Sequence, residues 1–169
     1  MMPDEAQMRL HRCSFAGHRP EKLKDDEATV RAFLQREIDL AVQEGFCTFL
    51  TGMAMGGDLW AAEEFLLYRQ AHPDQAGELH LIAVTPFPGF AARWKPDWHA
   101  IYTRIWRNAD HRVIISPSFA DDVFERRNRY LVVHAARLIA CYNGEEGGTH
   151  QLIAHARFSG LACRVLVSH

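Results

Sequence analysis

The sequence lacks a long hydrophobic run: its richest apolar segment, residues 131–142, is broken by His134 and Arg137, and nothing approaches the ~18 residues of a membrane span. It lacks an export signal too. The opening MMPDEAQMRLHR is acidic before it is basic and has no apolar stretch of the ~7–15 residues found in a secretory leader. The chain is therefore expected in the cytoplasm, with 1–11 a flexible extension. There is no excess of positive charge, since 19 Lys+Arg face 21 Asp+Glu for a net charge of −2. That balance counts against a protein that grips nucleic acid by overall charge and leaves a local basic site open. No CxxC pair occurs among Cys13, Cys47, Cys141 and Cys163, and three of the four lie in apolar runs that read as strands. Reduced core thiols are expected, rather than disulfides or metal ligands. Repeats, low-complexity tracts and linkers rich in Gly, Pro or Ser are missing as well, so the 169 residues fit a single domain.

What is present is an alternation. A short apolar run at 13–16 ends at Gly17, and residues 28–44 follow with Val30, Phe33, Leu34, Ile38 and Ala41 at helical spacing before Gly45. That reads as strand, loop, helix. The unit repeats with a strand at 46–50, a loop at 51–58 and a helix over 59–69. A third strand at 79–84 stops at Pro86, which cannot donate a ladder hydrogen bond. A long segment carrying Trp94, Trp98 and Trp106 leads to a fourth strand at 112–115 and a helix over 121–136. A fifth strand at 138–142, a helix opening at Gly147-Gly148-Thr149 and a sixth strand at 164–167 complete the chain. Short buried strands alternating with helices predict a Rossmann-like α/β/α sandwich, its mainly parallel, doubly wound sheet having about six strands.

In such sheets ligands sit beyond the carboxyl ends of the strands, where helix N-terminal N–H groups face outward. Three loops fall on that edge: Gly17-His18-Arg19-Pro20, then Thr51-Gly52-Met53-Ala54-Met55-Gly56-Gly57-Asp58, then Gly147-Gly148-Thr149. A glycine turn taken alone is ordinary turn chemistry; three on one edge point to a ligand pocket. Neither GxxxxGK[ST] nor GxGxxG occurs, which counts against a conventional NTPase or NAD dehydrogenase. Arg126-Arg127-Asn128-Arg129 places three cations early in one helix. They fan around it, so one or two at most can face a site and grip phosphate or carboxylate; the plain alternative is a solvated basic face. Asp58 reads either as the cap of its helix or as a carboxylate for a ribose. Trp94 and Trp98 read as core or interface, with Pro96 between them opening a helix. His11, Cys13 and His18, or His150 and His155, do not make a metal site: His18 lies past the strand end, and His150 and His155 stand about 140° apart on a helix.

Together these motifs resemble the YpsA-like family of the SLOG superfamily, which also contains the DprA/Smf DNA-processing proteins and the LOG-type phosphoribohydrolases. The resemblance covers about residues 13–167. It rests on Phe15-Ala16-Gly17-His18-Arg19-Pro20 with Lys22-Leu23, on the 51–58 loop, on Glu125-Arg126-Arg127-Asn128-Arg129-Tyr130, and on Gly147-Gly148-Thr149 with Ala154 and Ala156. It implies a pocket for a nucleotide or nucleotide-derived ligand, related to ADP-ribose, in a sensor or regulatory module. By position, Gly17, His18 and Arg19 would lie near its phosphate or sugar. Gly52, Met53, Gly56, Gly57 and Asp58 would form a second wall. Gly147, Gly148 and Thr149 would bind phosphate, and Arg127 and Asn128 would face the pocket.

The sequence departs from the phosphoribohydrolase pattern at one place. That branch carries a glutamate shortly after the threonine of GGxGTxxE, and here Gln151 stands there. An amide can neither accept a proton as a general base nor offer full charge to an oxocarbenium-like cation. Binding is thus expected ahead of turnover, with Arg127 and Asp58 the residues to act if the site is an enzyme. Glycosidic-bond hydrolysis and single-stranded DNA binding remain the alternatives. No cofactor or metal is implied, no membrane partner is expected, and a homodimer is left open.

Overall fold

The computed structural model describes residues 4–23 and 25–168. Six strands, β1 (Arg12–Gly17), β2 (Thr48–Thr51), β3 (His80–Thr85), β4 (His111–Ile114), β5 (Arg137–Tyr142) and β6 (Ala162–Val167), form one sheet in the order β4-β3-β2-β1-β5-β6. All five pairings are parallel. The helices are α1 (Glu5–Arg9), α2 (Glu27–Gln43), α3 (Gly57–Ala71), α4 (Pro96–Asn108), α5 (Val123–Val133) and α6 (Gly148–Phe158). No helix among the described residues is long and apolar enough to cross a membrane.

Period-two alternation along the strands divides the core. Cys13 and Phe15 of β1 enter the layer built with α2, α3 and α4, whereas Ala16 enters the layer built with α5 and α6, as opposite faces of a pleated strand require. Phe15 stacks on Phe49 at 5.6 Å, and Phe49 meets Phe65 in a tilted pair at 4.9 Å. The helices begin where their chemistry allows. The Asp26 side chain accepts the Thr29 N–H at 2.7 Å to cap α2, and Pro96 occupies the first turn of α4, where its missing N–H costs nothing. Trp98 lies against Trp60 at 5.9 Å and Trp94 against Tyr102 at 5.6 Å, so both tryptophans pack inward. All four cysteines are free. Burial pushes the Cys141 thiol up to about 12 and the Cys13 thiol higher, leaving both protonated and inert.

Within the stretch read as a flexible extension, residues 5–9 form α1, capped by Asp4 and held by Glu5, which pairs with Arg12 and accepts from His134 Nδ1 at 2.8 Å. Local capping and an ion pair reach across where hydrophobicity did not announce an element. Residues 1–3 of that stretch lie outside the described residues.

The chain runs outward from β1 to β4 and then resumes on the other side of β1 with β5. Crossovers therefore diverge between β1 and β5, and a crevice opens beyond their carboxyl ends. Its depth depends on a backbone contact. A Cβ built on Gly57, the first residue of α3, would stand 2.7 Å from Gly17 Cα and 2.6 Å from Cys141 Sγ. Only hydrogen atoms let the helix sit this close to β1. Gly57→Ala should accordingly lower stability by about 2 kcal/mol, read as a fall in the urea unfolding midpoint. Gly77→Ala, whose Cβ would meet nothing within 4 Å, should leave that midpoint unchanged.

Candidate functional site

The crevice holds a cavity of about 290 Å³. Its floor is the end of β1, Phe15 to Gly17, continued by His18, Arg19 and Lys22; one wall is Ala54 and Asp58. The opposite wall is built by Phe124, Arg127, Asn128 and Leu131 of α5. These four stand at i, i+3, i+4 and i+7, a single stripe of the helix. Gly148, Thr149 and Leu152 of α6, with Phe90 from the loop after β3, close the site.

Arg127 is the best-held cation. Its Nη1 donates to the Gly52 carbonyl at 2.9 Å and its Nε to Asn128 Oδ1 at 3.0 Å. The guanidinium carbon lies 5.7 Å from the Phe124 ring centre. Burial lowers its pKa from the ordinary value while the nearby Asp58 charge works the other way; a guanidinium nonetheless stays cationic at neutral pH. Nη2 has no hydrogen-bond partner among the described residues, and neither does Asn128 Nδ2; both residues line the cavity. The other arginines of the motif point elsewhere: Arg126 donates to the Ile115 carbonyl at 3.2 Å and Arg129 is exposed.

Asp58 is buried, and its Oδ2 accepts the Ala54 N–H at 3.3 Å. Desolvation pushes its carboxyl up to about 6, against the opposing pull of Arg127 and of the Ala54 and Gly17 N–H groups. The loop that delivers it is strained. Met53 has φ 66°, a left-handed conformation uncommon for a side chain of this kind, held by its N–H to Thr51 Oγ1 at 3.3 Å and by Thr51 Oγ1 to the Asp58 carbonyl at 3.0 Å. His18 is also buried; its Nδ1 accepts the Asn143 N–H at 3.3 Å. That bond assigns the proton of the neutral ring to Nε2, and desolvation keeps the pKa below the usual histidine value. His18 therefore offers a neutral donor. Beside it stand the exposed cations Arg19 and Lys22, so positive groups outnumber the single carboxylate of the lining.

Of the residues singled out in the sequence, Gly17, His18, Arg19, Asp58, Arg127, Asn128, Gly148 and Thr149 come together around the cavity. Five do not line it. Met53 is fully buried in the core. Gly52 stands behind the wall, where a Cβ would strike Arg127 Cδ and Asp58 Oδ2, each at 2.9 Å. Gly56, with φ 91°, and Gly57 pack against the backbone of the Gly17–His18 segment, an approach that a side chain at either would block. Gly147 has φ 153° and caps α6 from outside the lining. Gln151 is exposed and Glu125 too, leaving Asp58 as the carboxylate of the site. The sequence reading did not assign Phe15, Ala16, Lys22, Ala54, Phe90, Phe124, Leu131 or Leu152 to the site. The α5 stripe could have revealed Phe124 and Leu131; nothing in the sequence marks Phe90.

Comparison with known proteins places these features in a family. The model of the YspA SLOG family matches residues 13–158, and the chain belongs to that family. A UPF0398 protein of Bacillus pumilus is 27% identical over 145 residues, covering 79% of this chain and 74% of the relative. One from Staphylococcus saprophyticus is 28% identical over 128 residues, covering 73% of this chain and 66% of the relative. Among solved structures, DNA processing protein A of Helicobacter pylori, described for its single-stranded DNA binding mode, superposes with TM-score 0.63 at 14% identity, over 98% of this chain and 68% of that one. DprA of Streptococcus pneumoniae gives TM-score 0.61 at 15% identity, over 94% of this chain and half of that one. At such identities the likeness is one of fold.

The raised carboxyl of Asp58 has a measurable sign. Its ordinary value is 3.8, so between about pH 4 and 6 the folded chain keeps a proton that the unfolded chain releases, and this group's contribution to stability falls as pH rises through that window. Relative to the parent, Asp58→Asn should gain up to about 3 kcal/mol between pH 4 and pH 7, measured as the difference in urea unfolding free energy. A difference that stays flat with pH would contradict the burial of a titrating carboxyl.

Proposed function

We propose that the chain binds a nucleotide or nucleotide-derived ligand of the ADP-ribose type in the crevice between β1 and β5, as a cytoplasmic sensor or regulatory module. The observation that carries this reading is the unpartnered Nη2 of Arg127 in a cavity that also draws Arg19, Lys22, the neutral donor of His18 and the first N–H groups of α6. A guanidinium with one edge anchored to protein and one edge free suits a phosphate oxygen, and helix N-termini favour the same group. Asn128 Nδ2 and Thr149 Oγ1 supply hydrogen bonds to a sugar or phosphate. Asp58 would accept from a ribose hydroxyl when ionised.

Binding without turnover is favoured because Gln151 stands on the solvent side of α6 and offers no catalytic carboxylate. Were N-glycosidic cleavage to occur, Asp58 would be its acid or base and Arg127 its phosphate anchor. A second reading, single-stranded DNA binding, draws on the fold shared with the Helicobacter protein described for that property. The near-balanced charge of the whole chain speaks against it, while the local excess of cations at the cavity speaks for it.

Titration calorimetry with ADP-ribose, NAD and AMP should show binding that Arg127→Ala weakens at least about tenfold, the size of a lost charge-assisted hydrogen bond. No heat from any of the three at millimolar concentration, or unchanged affinity in the variant, would sink the proposal. Incubation with nucleoside monophosphates should release no free base; release abolished by Asp58→Asn would make the protein an enzyme. A short oligonucleotide that binds with a steep salt dependence where the nucleotides do not would favour the DNA reading.

A further inference from the structure

Large aromatic rings seldom stand in water without cause, yet Phe119 is 60% and Phe124 40% exposed. They are not isolated. Their centroids lie 6.4 Å apart, Phe87 approaches Phe119 at 5.8 Å, and Phe90 approaches Phe124 at 5.9 Å. The loops after β3 and β4 are fixed to one another, since the Ser116 N–H donates to the Pro86 carbonyl at 3.0 Å, and the first loop is closed on itself by the Phe90 N–H to the Phe87 carbonyl at 3.2 Å. The cluster is continuous with the cavity. Phe90 and Phe124 belong to its lining, and the Phe124 ring lies against the guanidinium of Arg127, which lines the same cavity.

We propose that Phe119 and Phe124 form the stacking surface for the base of a free nucleotide whose phosphate enters the cavity beside Arg127. This rests on the phosphate-binding reading of the cavity and names the part of the ligand that reading leaves open. A volume of about 290 Å³ is small for a ligand pocket, so a molecule that places phosphate and sugar inside carries its third part to the mouth. There the chemistry changes from cationic to aromatic, and a nucleobase has the flat π-face that such rings take. A sugar phosphate without a base would leave the rings wet. The charged partner at the inner edge and the apolar partner at the outer edge thus match the two ends of one nucleotide.

The test compares ligands that share the phosphate and differ in the base. AMP should bind the parent protein about tenfold more tightly than ribose 5-phosphate, the scale of one base stacked on an aromatic ring. In the double variant Phe119→Ala, Phe124→Ala the difference between the two ligands should vanish, whatever loss both share because Phe124 also lies against Arg127. Phe119→Ala alone, at a residue remote from Arg127 contacts, should remove part of it, and Phe124→Tyr should keep it. Equal affinity of the two ligands for the parent, or a preference for AMP that survives the double variant, overturns the stacking surface while leaving the phosphate site intact. If neither ligand binds at millimolar concentration, the phosphate site itself fails and the inference falls with it. A short oligonucleotide that binds where AMP does not would show the rings serving a strand and would likewise overturn the proposal.

Discussion

Everything at the carboxyl edge of the sheet depends on the approach of α3 to β1 through Gly17 and Gly57. With Cys141 Sγ beneath them, the two glycines leave no room for a methyl group on either side, and a close-packed interior has little give to supply it. The Gly57 N–H donates to the His18 carbonyl at 3.1 Å, so the first turn of α3 is hydrogen-bonded to the loop that carries His18 and Arg19. That contact sets the height of Asp58 above the strand ends. Moving α3 outward by the width of one methyl would carry the carboxylate away from Arg127 and open the cavity floor.

The second constraint is electrostatic. Asp58 is buried and Arg127 half-buried, and the charge of each moderates the desolvation of the other. They do not meet in a salt bridge among the described residues; Arg127 instead spends one nitrogen on the Gly52 carbonyl and another on Asn128. A direct pair would satisfy both charges and leave little reason for a ligand to enter. Held apart by backbone, each keeps unused capacity, and buried charges with unused capacity mark sites of binding or chemistry more often than sites of structure.

The architecture was legible in the sequence because it follows from alternation. Hydrophobic periodicity, Pro86, Pro96 and Gly45 marked the six strands, α2, α3, α5 and α6 to within a few residues and the start of α4, though not α1, and the edge where three glycine loops gather is the edge of the cavity. The division of labour within those loops was not legible. Gly56 and Gly57 look like phosphate-cradling residues in a string of letters; only the distance to Gly17 distinguishes packing from ligand contact. Met53 reads as part of a loop and is a core residue, because a left-handed turn swings its side chain beneath the sheet edge. Helical spacing alone did not separate Arg126, Arg127 and Arg129; the family resemblance pointed to Arg127, and the phase of α5, fixed by the burial of Val123, Leu131 and Val132, turns it toward the cavity. Phe90 reaches the site from a loop after β3, and long-range placement of that kind leaves no periodic trace.

The protonation state of Asp58 makes the cavity a partner in acid–base exchange. An anion lodged beside Arg127 brings negative charge toward a carboxyl already lifted to about 6, which lifts it further. Formation of such a complex near neutral pH would then draw a proton from solution. The heat of association would vary with the ionisation enthalpy of the buffer, and the occupied site would store that proton until the anion leaves.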